Sequence, residues 1–357
     1  MRKKGSNPQP ERGIALIIVM LVVFVLAAIA GGFAYNVKVE TTLARNAQDD
    51  YEYEWLARSG MEYAKWALGQ QMGAVQEQQF DALNQFWAGR KFDTNDFFEG
   101  HSLNGIQLGR GEFSVVITDL QSKFNINLAN EEILNYAAEL IGIDTADRPV
   151  IVDSILDWMD RDDRPRINGV ETDHYQSLDP PYLCKDGPMD DLSELLFVNG
   201  VTEDMFYGTP AHLLNTDNMS RQERWEFRKA DIPVYSNSFV NLFTTMGFPR
   251  INPNTVTAPD AFQLFGMDQL QAQEILTYRA GLDGVDGTED DVPFQSPMEL
   301  SQFIGGTGQQ LAQFFATRSA AFEATITVSI GGRSREKIVR IFRGSATDVR
   351  VLYSYWK

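Results

Sequence analysis

Hydrophobic and polar positions divide this chain into three regimes. The first is an uncharged, mostly apolar run from Ile14 to Ala34 that starts directly after Arg12-Gly13. At about 20 residues it is long enough to cross a bilayer as a helix. The second regime, Val37 to Leu68, is periodic. Leu43, Ala47, Tyr51, Trp55, Leu56, Met61, Tyr63, Trp66 and Ala67 recur at helical spacing, proline is absent, and Gly60 is the only glycine. This predicts a helix continuous with the apolar run and amphipathic in its outer half, its aromatic stripe packed on a sheet. The third regime alternates. Residues 111–119 predict a strand. Residues 322–330, then Gly331-Gly332, then residues 336–342 predict a β-hairpin, and residues 348–355 add a further strand.

The strands are separated by about 200 residues, so something large is inserted between them. The expected fold is α+β: a long N-terminal helix packed on a small antiparallel sheet, with a large, mostly α-helical inserted domain. The divisions are a basic leader at 1–13, an anchor helix at 14–35, and the amphipathic helix with the first part of the sheet domain at 36–122. The insert spans 123–312 and the C-terminal strands 313–357.

The insert contains an internal repeat. Its first copy reads Phe124-Asn125-Ile126-Asn127, then Leu140-Ile141-Gly142-Ile143-Asp144, then Ile151 to Trp158, an acidic loop, and Leu192-Ser193-Glu194-Leu195. Its second reads Ile251-Asn252-Pro253-Asn254, then Leu264-Phe265-Gly266-Met267-Asp268, then Ala272 to Tyr278, a shorter acidic loop, and Pro297-Met298-Glu299-Leu300. Asn127 and Asn254 are placed to cap helices or hold turns. Gly142 and Gly266 suit left-handed helix ends, and Asp144 and Asp268 suit the start of the next helix. The arrangement resembles a helix-hairpin-helix. Nucleic-acid-binding versions present a Gly-hydrophobic-Gly turn to phosphate. Here the second glycine position is Asp in both copies, and a carboxylate there repels phosphate. The repeat is expected to be structural or protein-binding.

Charge sharpens that exclusion. The net charge is −18, and the leader's Arg2, Lys3, Lys4 and Arg12 are a basic exception to it. An acidic body suits divalent cations or basic partner surfaces, not nucleic acid. Cys184 is the only cysteine, so no intrachain disulfide exists and metal is the available staple. Asp283, Asp286, Glu289, Asp290 and Asp291 place five carboxylates in nine residues, with Gly284 and Gly287 for tight turns. Hard oxygen donors on such a loop suit Ca²⁺, although the spacing is not that of an EF-hand. The alternative is a solvated turn. A weaker candidate is Asp157, Asp160, Asp162 and Asp163, with Glu171 and Asp173 beyond. Arg161, Arg164 and Arg166 interleave there and can pair with the acids. Catalytic motifs are absent: His101, His174 and His212 form no ligand pair, and there is no nucleophile elbow or phosphate loop.

A basic leader, Gly13, an apolar helix and its amphipathic extension resemble the type IV pilins and type II secretion pseudopilins. That resemblance implies cleavage between Gly13 and Ile14 by a prepilin peptidase and methylation of the new amine. Two other readings of the N-terminus stand beside it. Ala28-Ile29-Ala30 fits an ordinary signal-peptidase site, and the anchor can also remain uncut. Members of these families usually carry Glu at the fifth mature position, where this chain has Ile18. A carboxylate held in lipid requires a partner, so its loss suits a subunit with no neighbour above it. The pattern is similar to the minor pseudopilins of the general secretion pathway K type, whose Ser-Leu-Asp-Pro-Pro-Tyr run looks like residues 177–182.

The resemblance implies a tip subunit that initiates the pseudopilus with I-type and J-type minor pseudopilins and supports export of folded proteins across the outer membrane. It also implies a calcium-binding globular domain. By the positive-inside rule the leader is cytoplasmic, the anchor is single-pass in the inner membrane, and the globular part is periplasmic. Contact with secreted cargo or the outer-membrane channel would follow from that position. The competing readings are a signal-cleaved periplasmic or secreted enzyme, and an anchored DNA-uptake component.

Overall fold

The computed structural model describes residues 14–73, 79–90, 98, 100–209, 235, 237–306 and 308–357. One helix, α1 (Ile14–Gly73), continues without a break from the apolar run into the amphipathic stretch. Sixty residues at about 1.5 Å each give a rod about 90 Å long. Leu16 through Val39 stand exposed, so among the described residues nothing covers the first half of the rod. The second half buries Tyr53, Leu56, Ala57, Ala64, Ala67 and Leu68.

That face lies on a five-stranded antiparallel sheet of order β1-β2-β5-β6-β7. Its strands are β1 (Ile106–Leu108), β2 (Gly111–Asp119), β5 (Ala321–Ile330), β6 (Arg333–Arg343) and β7 (Val349–Trp356), with β3 and β4 forming a separate pair. Alternation decides the faces: Phe113, Val115, Ile117, Phe322, Ala324, Ile326, Val328, Val339 and Ile341 join the α1 residues in one core. Gly331 and Gly332 both have positive φ, as a two-residue hairpin turn of the primed type requires. The predicted strands appear within a few residues of their expected ends. β1, too short to alternate, was not anticipated.

In the sheet register Asp119 faces Phe322, and Gly111 faces Ile330. The insert therefore leaves and re-enters the sheet at adjacent positions. Tyr53 of α1 donates to the Arg333 carbonyl (2.9 Å) beside the hairpin turn, while Arg343 donates to the Leu68 carbonyl (3.3 Å). The turn thus lies toward the anchor, and the insert springs from the end of the sheet farthest from it.

The insert has its own core, running in sequence from Phe124 to Phe315. A short parallel pair, β3 (Phe124–Asn125) with β4 (Phe243–Thr244), ties the start of the first copy to the segment that leads into the second. The first copy contains α2 (Glu131–Ile141) and α3 (Arg148–Met159); the second contains α4 (Gln269–Arg279) and α5 (Pro297–Ile304). Gly142 ends α2 with φ 93° and Gly266 has φ 77°, the left-handed geometry expected of both. Asp268 caps α4 through Gln271 N (2.9 Å). Asp144 instead holds a turn to Ala146 N (2.9 Å), and α3 starts only after it, at Arg148-Pro149.

Asn127 and Asn254 are clamps, not helix caps. Asn127 accepts from Met189 N (2.7 Å) and donates to Met189 O (2.9 Å). Asn254 does the same to Phe294, at 2.8 and 2.9 Å. Each pins the far end of its own acidic loop, just before the element that closes the copy. Asn125 and Asn252 brace them by accepting from Asn127 N and Asn254 N.

Candidate functional site

Two acidic loops and the junction with the sheet concentrate the buried polar chemistry. In the loop after α4, the five carboxylates of the candidate calcium site are all engaged by protein donors. Asp286 forms a two-point pair with Arg279, whose guanidinium is 2% exposed and also donates to the Pro253 and Val256 carbonyls at 2.7 Å. Glu289 pairs with Arg90 at 3.1 Å. Asp290 accepts from Leu282 N, Asp283 N and Thr288 Oγ1, which hold its carboxyl below the usual range. Asp283 accepts from Val285 N, and Asp291 from Gly287 N. These bonds fix the loop, and they leave Asp283, Asp290 and Asp291 as its remaining oxygen donors for a cation.

The longer loop after α3 differs. Asp157 is wholly buried and accepts from Arg166 N (3.0 Å) and Arg166 Nη1 (2.5 Å); the same Nη1 reaches Asp160 Oδ2 (2.6 Å). Asp162 accepts from Arg164 N. The interleaved arginine at 166 therefore does pair with two of the acids, as the sequence allowed. Gly169 lies so close that a Cβ there would sit 1.9 Å from Asp157 Oδ2.

Beyond this pair is Glu171, 5% exposed, with neither carboxylate oxygen hydrogen-bonded. Burial, reinforced by the nearby Asp157, Asp160 and Asp186 charges, pushes it up to about 7. One oxygen of Glu171, the Cys184 sulfur and an oxygen of Asp186 lie within 4.8 Å of one another. Asp160 Oδ1 is also buried and unpartnered. Burial pushes the Cys184 thiol up to about 12, so at neutral pH it stands there as a neutral thiol. The Glu171 and Asp186 carboxylates, with the two orphaned oxygens of Glu171, are hard donors of the kind that suit a divalent cation such as Ca²⁺. Sequence spacing flagged Glu171 only as an outlier of the Asp157–Asp163 group. It gave no signal that Asp186 would join it.

The junction is a third buried polar cluster. Asp119, at the end of β2, accepts from Gln121 N (2.8 Å), Thr255 Oγ1 (2.6 Å), Ser319 Oγ (2.5 Å) and Asn252 Nδ2 (3.3 Å). Asn252 also donates to the Asp81 carbonyl and to Ser319 Oγ. Asp81 accepts from Ser319 N (2.8 Å) and pairs with the buried Arg343. Burial pushes Asp119 up to about 6 despite its four donors. This network joins α1, the sheet and the second copy of the insert.

Of the remaining predicted residues, Gly13 and His212 lie outside the described residues, and Ile14 is the first residue of α1. His101 lies against the Trp66 ring and His174 against Tyr175. Residues 177–181 are exposed, as two prolines in an extended surface turn imply.

A long helix, apolar and then amphipathic, laid on an antiparallel sheet defines the pilin-like class, here with a helical domain inserted. The family model described as type II secretion system (T2SS), protein K, matches residues 117–208. Type II secretion system protein K of Klebsiella pneumoniae is 27% identical over 206 residues, covering 54% of this chain and 58% of that protein. The protein of the same name from Pectobacterium carotovorum subsp. carotovorum is 28% identical over 260 residues, with coverages of 66% and 72%. That of Pseudomonas aeruginosa is 22% identical across 98% of this chain and 92% of its own length. In fold, the chain is similar to a chain of the GspK-GspI-GspJ complex from the enterotoxigenic Escherichia coli type 2 secretion system. The TM-score is 0.59 at 18% identity, covering 88% of this chain and 99% of that one. Over these spans the chain is similar to the type II secretion system protein K family.

Proposed function

We propose that the protein is a minor pseudopilin that stands at the tip of the type II secretion pseudopilus, starts its assembly and supports export of folded proteins across the outer membrane. The observation that carries the tip position is where the insert attaches. It springs from the membrane-distal end of the sheet, beside Asp119 and Phe322, where a further subunit stacked above would have to displace it. Ile18 supports the same position, because a tip subunit has no neighbour to satisfy a carboxylate there.

The apolar half of α1 then serves twice. Before assembly it anchors the chain by a single pass in the inner membrane, with the globular part in the periplasm. In the fibre it exchanges lipid for helices of other subunits. By likeness to the solved complex, the immediate partners are I-type and J-type minor pseudopilins. Secreted cargo or the outer-membrane channel would meet the insert. Prepilin peptidase would cleave between Gly13 and Ile14, and the new amine would be methylated. The role is assembly and not catalysis, and the acidic surface is unsuited to nucleic acid.

Calcium belongs to this reading as a staple of the insert. Glu171 and Asp186 would hold one ion, and Asp283, Asp290 and Asp291 the oxygens of a second. Such an ion supplies positive charge that neutralises buried carboxylates and fixes the loops.

The deciding experiment is the N-terminal sequence and mass of the chain isolated from membranes. A start at methylated Ile14 is expected. A start at Gly31 would mean signal-peptidase cleavage and a free domain, and would overturn the anchor and with it the fibre.

A further inference from the structure

The loop after α3 sets its orphaned glutamate beside the only cysteine of the chain. Cys184 is buried, and its sulfur, one oxygen of Glu171 and one oxygen of Asp186 all lie within 4.8 Å of one another. Both Glu171 oxygens are buried without a hydrogen-bonded partner. The cations of this loop are engaged elsewhere. Arg166 pairs with Asp157 and Asp160. Lys185, between the two loop donors, pairs with Asp190 and Glu194 at 2.6 Å. A carboxylate buried in this way calls for a positive charge from outside the protein or for a proton. Asp186 is exposed, which leaves the trio open to solvent on one side.

We propose that Glu171, Cys184 and Asp186 form a site for a thiophilic divalent cation of the zinc class, which binds there more tightly than Ca²⁺. This rests on the reading of Glu171 and Asp186 as donors to one ion, and it changes which ion they hold best. Ca²⁺ takes about six to eight oxygens, and a sulfur does not stand in for one of them. Zn²⁺ takes about four ligands and accepts thiolate and carboxylate together. Its bonds, about 2.3 Å to sulfur and about 2.0–2.2 Å to oxygen, require the three side chains to close on one point. The fourth position is left to water or a further oxygen. A soft thiolate donor selects such an ion over Ca²⁺. On binding, the sulfur exchanges its proton, which passes to solvent, for a metal–sulfur bond, and no electron changes hands. The dication then faces two carboxylates and a thiolate, so the buried Glu171 charge is compensated. The ion would tie residue 171 to residues 184 and 186 across the exposed turn at 177–181, in a chain with no intrachain disulfide to do so.

The full chain in detergent micelles, freed of metal by chelator, is titrated with Co²⁺, a coloured stand-in for Zn²⁺. A cobalt–thiolate charge-transfer band in the near ultraviolet should grow saturably. Zn²⁺ should abolish it, and Ca²⁺ in large excess should remove little of it. Because the chain has one cysteine, such a band can come only from Cys184. Cys184→Ser should lose the band. Its tightest Zn²⁺ affinity, read by competition with a chromophoric chelator, should fall by about 100-fold, the upper end of what a lost outer-shell partner costs. No band on the unaltered chain, ready displacement of Co²⁺ by Ca²⁺, or a Zn²⁺ affinity unchanged in Cys184→Ser would overturn the proposal. If Cys184→Ser does not fold, the Co²⁺ spectrum of the unaltered chain decides. Glu171→Gln separates this inference from the reading beneath it. A Ca²⁺ response lost in Glu171→Gln, with no cobalt–thiolate band on the unaltered chain, keeps the calcium reading and removes this one. A Ca²⁺ response and a band that both survive Glu171→Gln remove both.

Discussion

Glu171 is the residue at which the chemistry of the insert is most exposed to test. Its folded-state proton affinity is raised, to about 7, above that of a free glutamate. The folded chain therefore holds a proton that the unfolded chain releases. For this group stability is greatest at low pH and falls as pH rises through the folded value. Asp119, raised to about 6, acts in the same direction slightly lower. The metal-free chain should melt at a higher temperature at pH 5.5 than at pH 8, opposite to the trend of a carboxylate stabilised by an ion pair. Glu171→Gln should flatten the upper part of that profile, leaving the Asp119 contribution. Added Ca²⁺ should raise the pH 8 melting temperature of the unaltered chain and do much less for the variant. Thermal melts with and without chelator measure all three. A Ca²⁺ response undiminished in Glu171→Gln would place the cation elsewhere, with Asp283, Asp290 and Asp291 the next donors to change. The density of acids in 283–291 was legible in the sequence, but the identity of their partners was not. Arg90 and Arg279 reach those acids through the fold, whereas Glu171 is buried with no cation to pair it and only the Cys184 thiol beside it, a fact no local spacing encodes.

At the scale of elements, α1 and the sheet pack tightly at Gly60. A Cβ on Gly60 would lie 2.6 Å from Ile326 Cγ2 and 3.3 Å from the Phe113 ring. Alanine is the better helix former by about 1 kcal/mol, and overpacking a core costs about 1–3 kcal/mol. Here the neighbour is a branched side chain fully buried in the core, so the steric cost wins. Gly60→Ala should destabilise by about 1–2 kcal/mol in denaturant titration. In an Ile326→Ala background the clashing methyl is gone and the sign should reverse, which a double-mutant cycle resolves. The sequence displayed Gly60 as an interruption in a helical pattern, and only the packing explains it. Strands and helices with clear periodicity were legible for the same reason they form: one face is buried. β1 was not, because three residues between glycines hold too little alternation. The Asn127 and Asn254 clamps were legible as a repeat but not as a contact, since their partners lie 62 and 40 residues away.

For the whole molecule, the question is whether the insert is an addition to a complete pilin-like body. The core beneath α1 contains no residue between Ile117 and Phe322, and the insert's core begins at Phe124 and ends at Phe315. Among the described residues the polar junction joins the two, with the Arg90–Glu289 pair beside it. Asp119 and Phe322 are register partners, so a two-residue Asn-Gly turn in place of residues 120–321 closes β2 onto β5 as a hairpin. Excision removes Gln121, Thr255, Asn252 and Ser319, which leaves Asp119 with none of its four donors; Asp119→Asn removes the charge that would otherwise be stranded. Asp81 keeps Arg343. The body that remains holds about 120 residues outside the anchor, above the size at which a single core becomes marginal. It should fold, show helix and strand by circular dichroism, and be processed at Gly13-Ile14, yet fail to support export in cells lacking the full chain. A shortened chain that does not fold would mean that the junction, and not the sheet core, holds the body together. A folded, processed chain that restores export would remove the insert from the secretion mechanism, and with it the reason for placing this subunit at the tip.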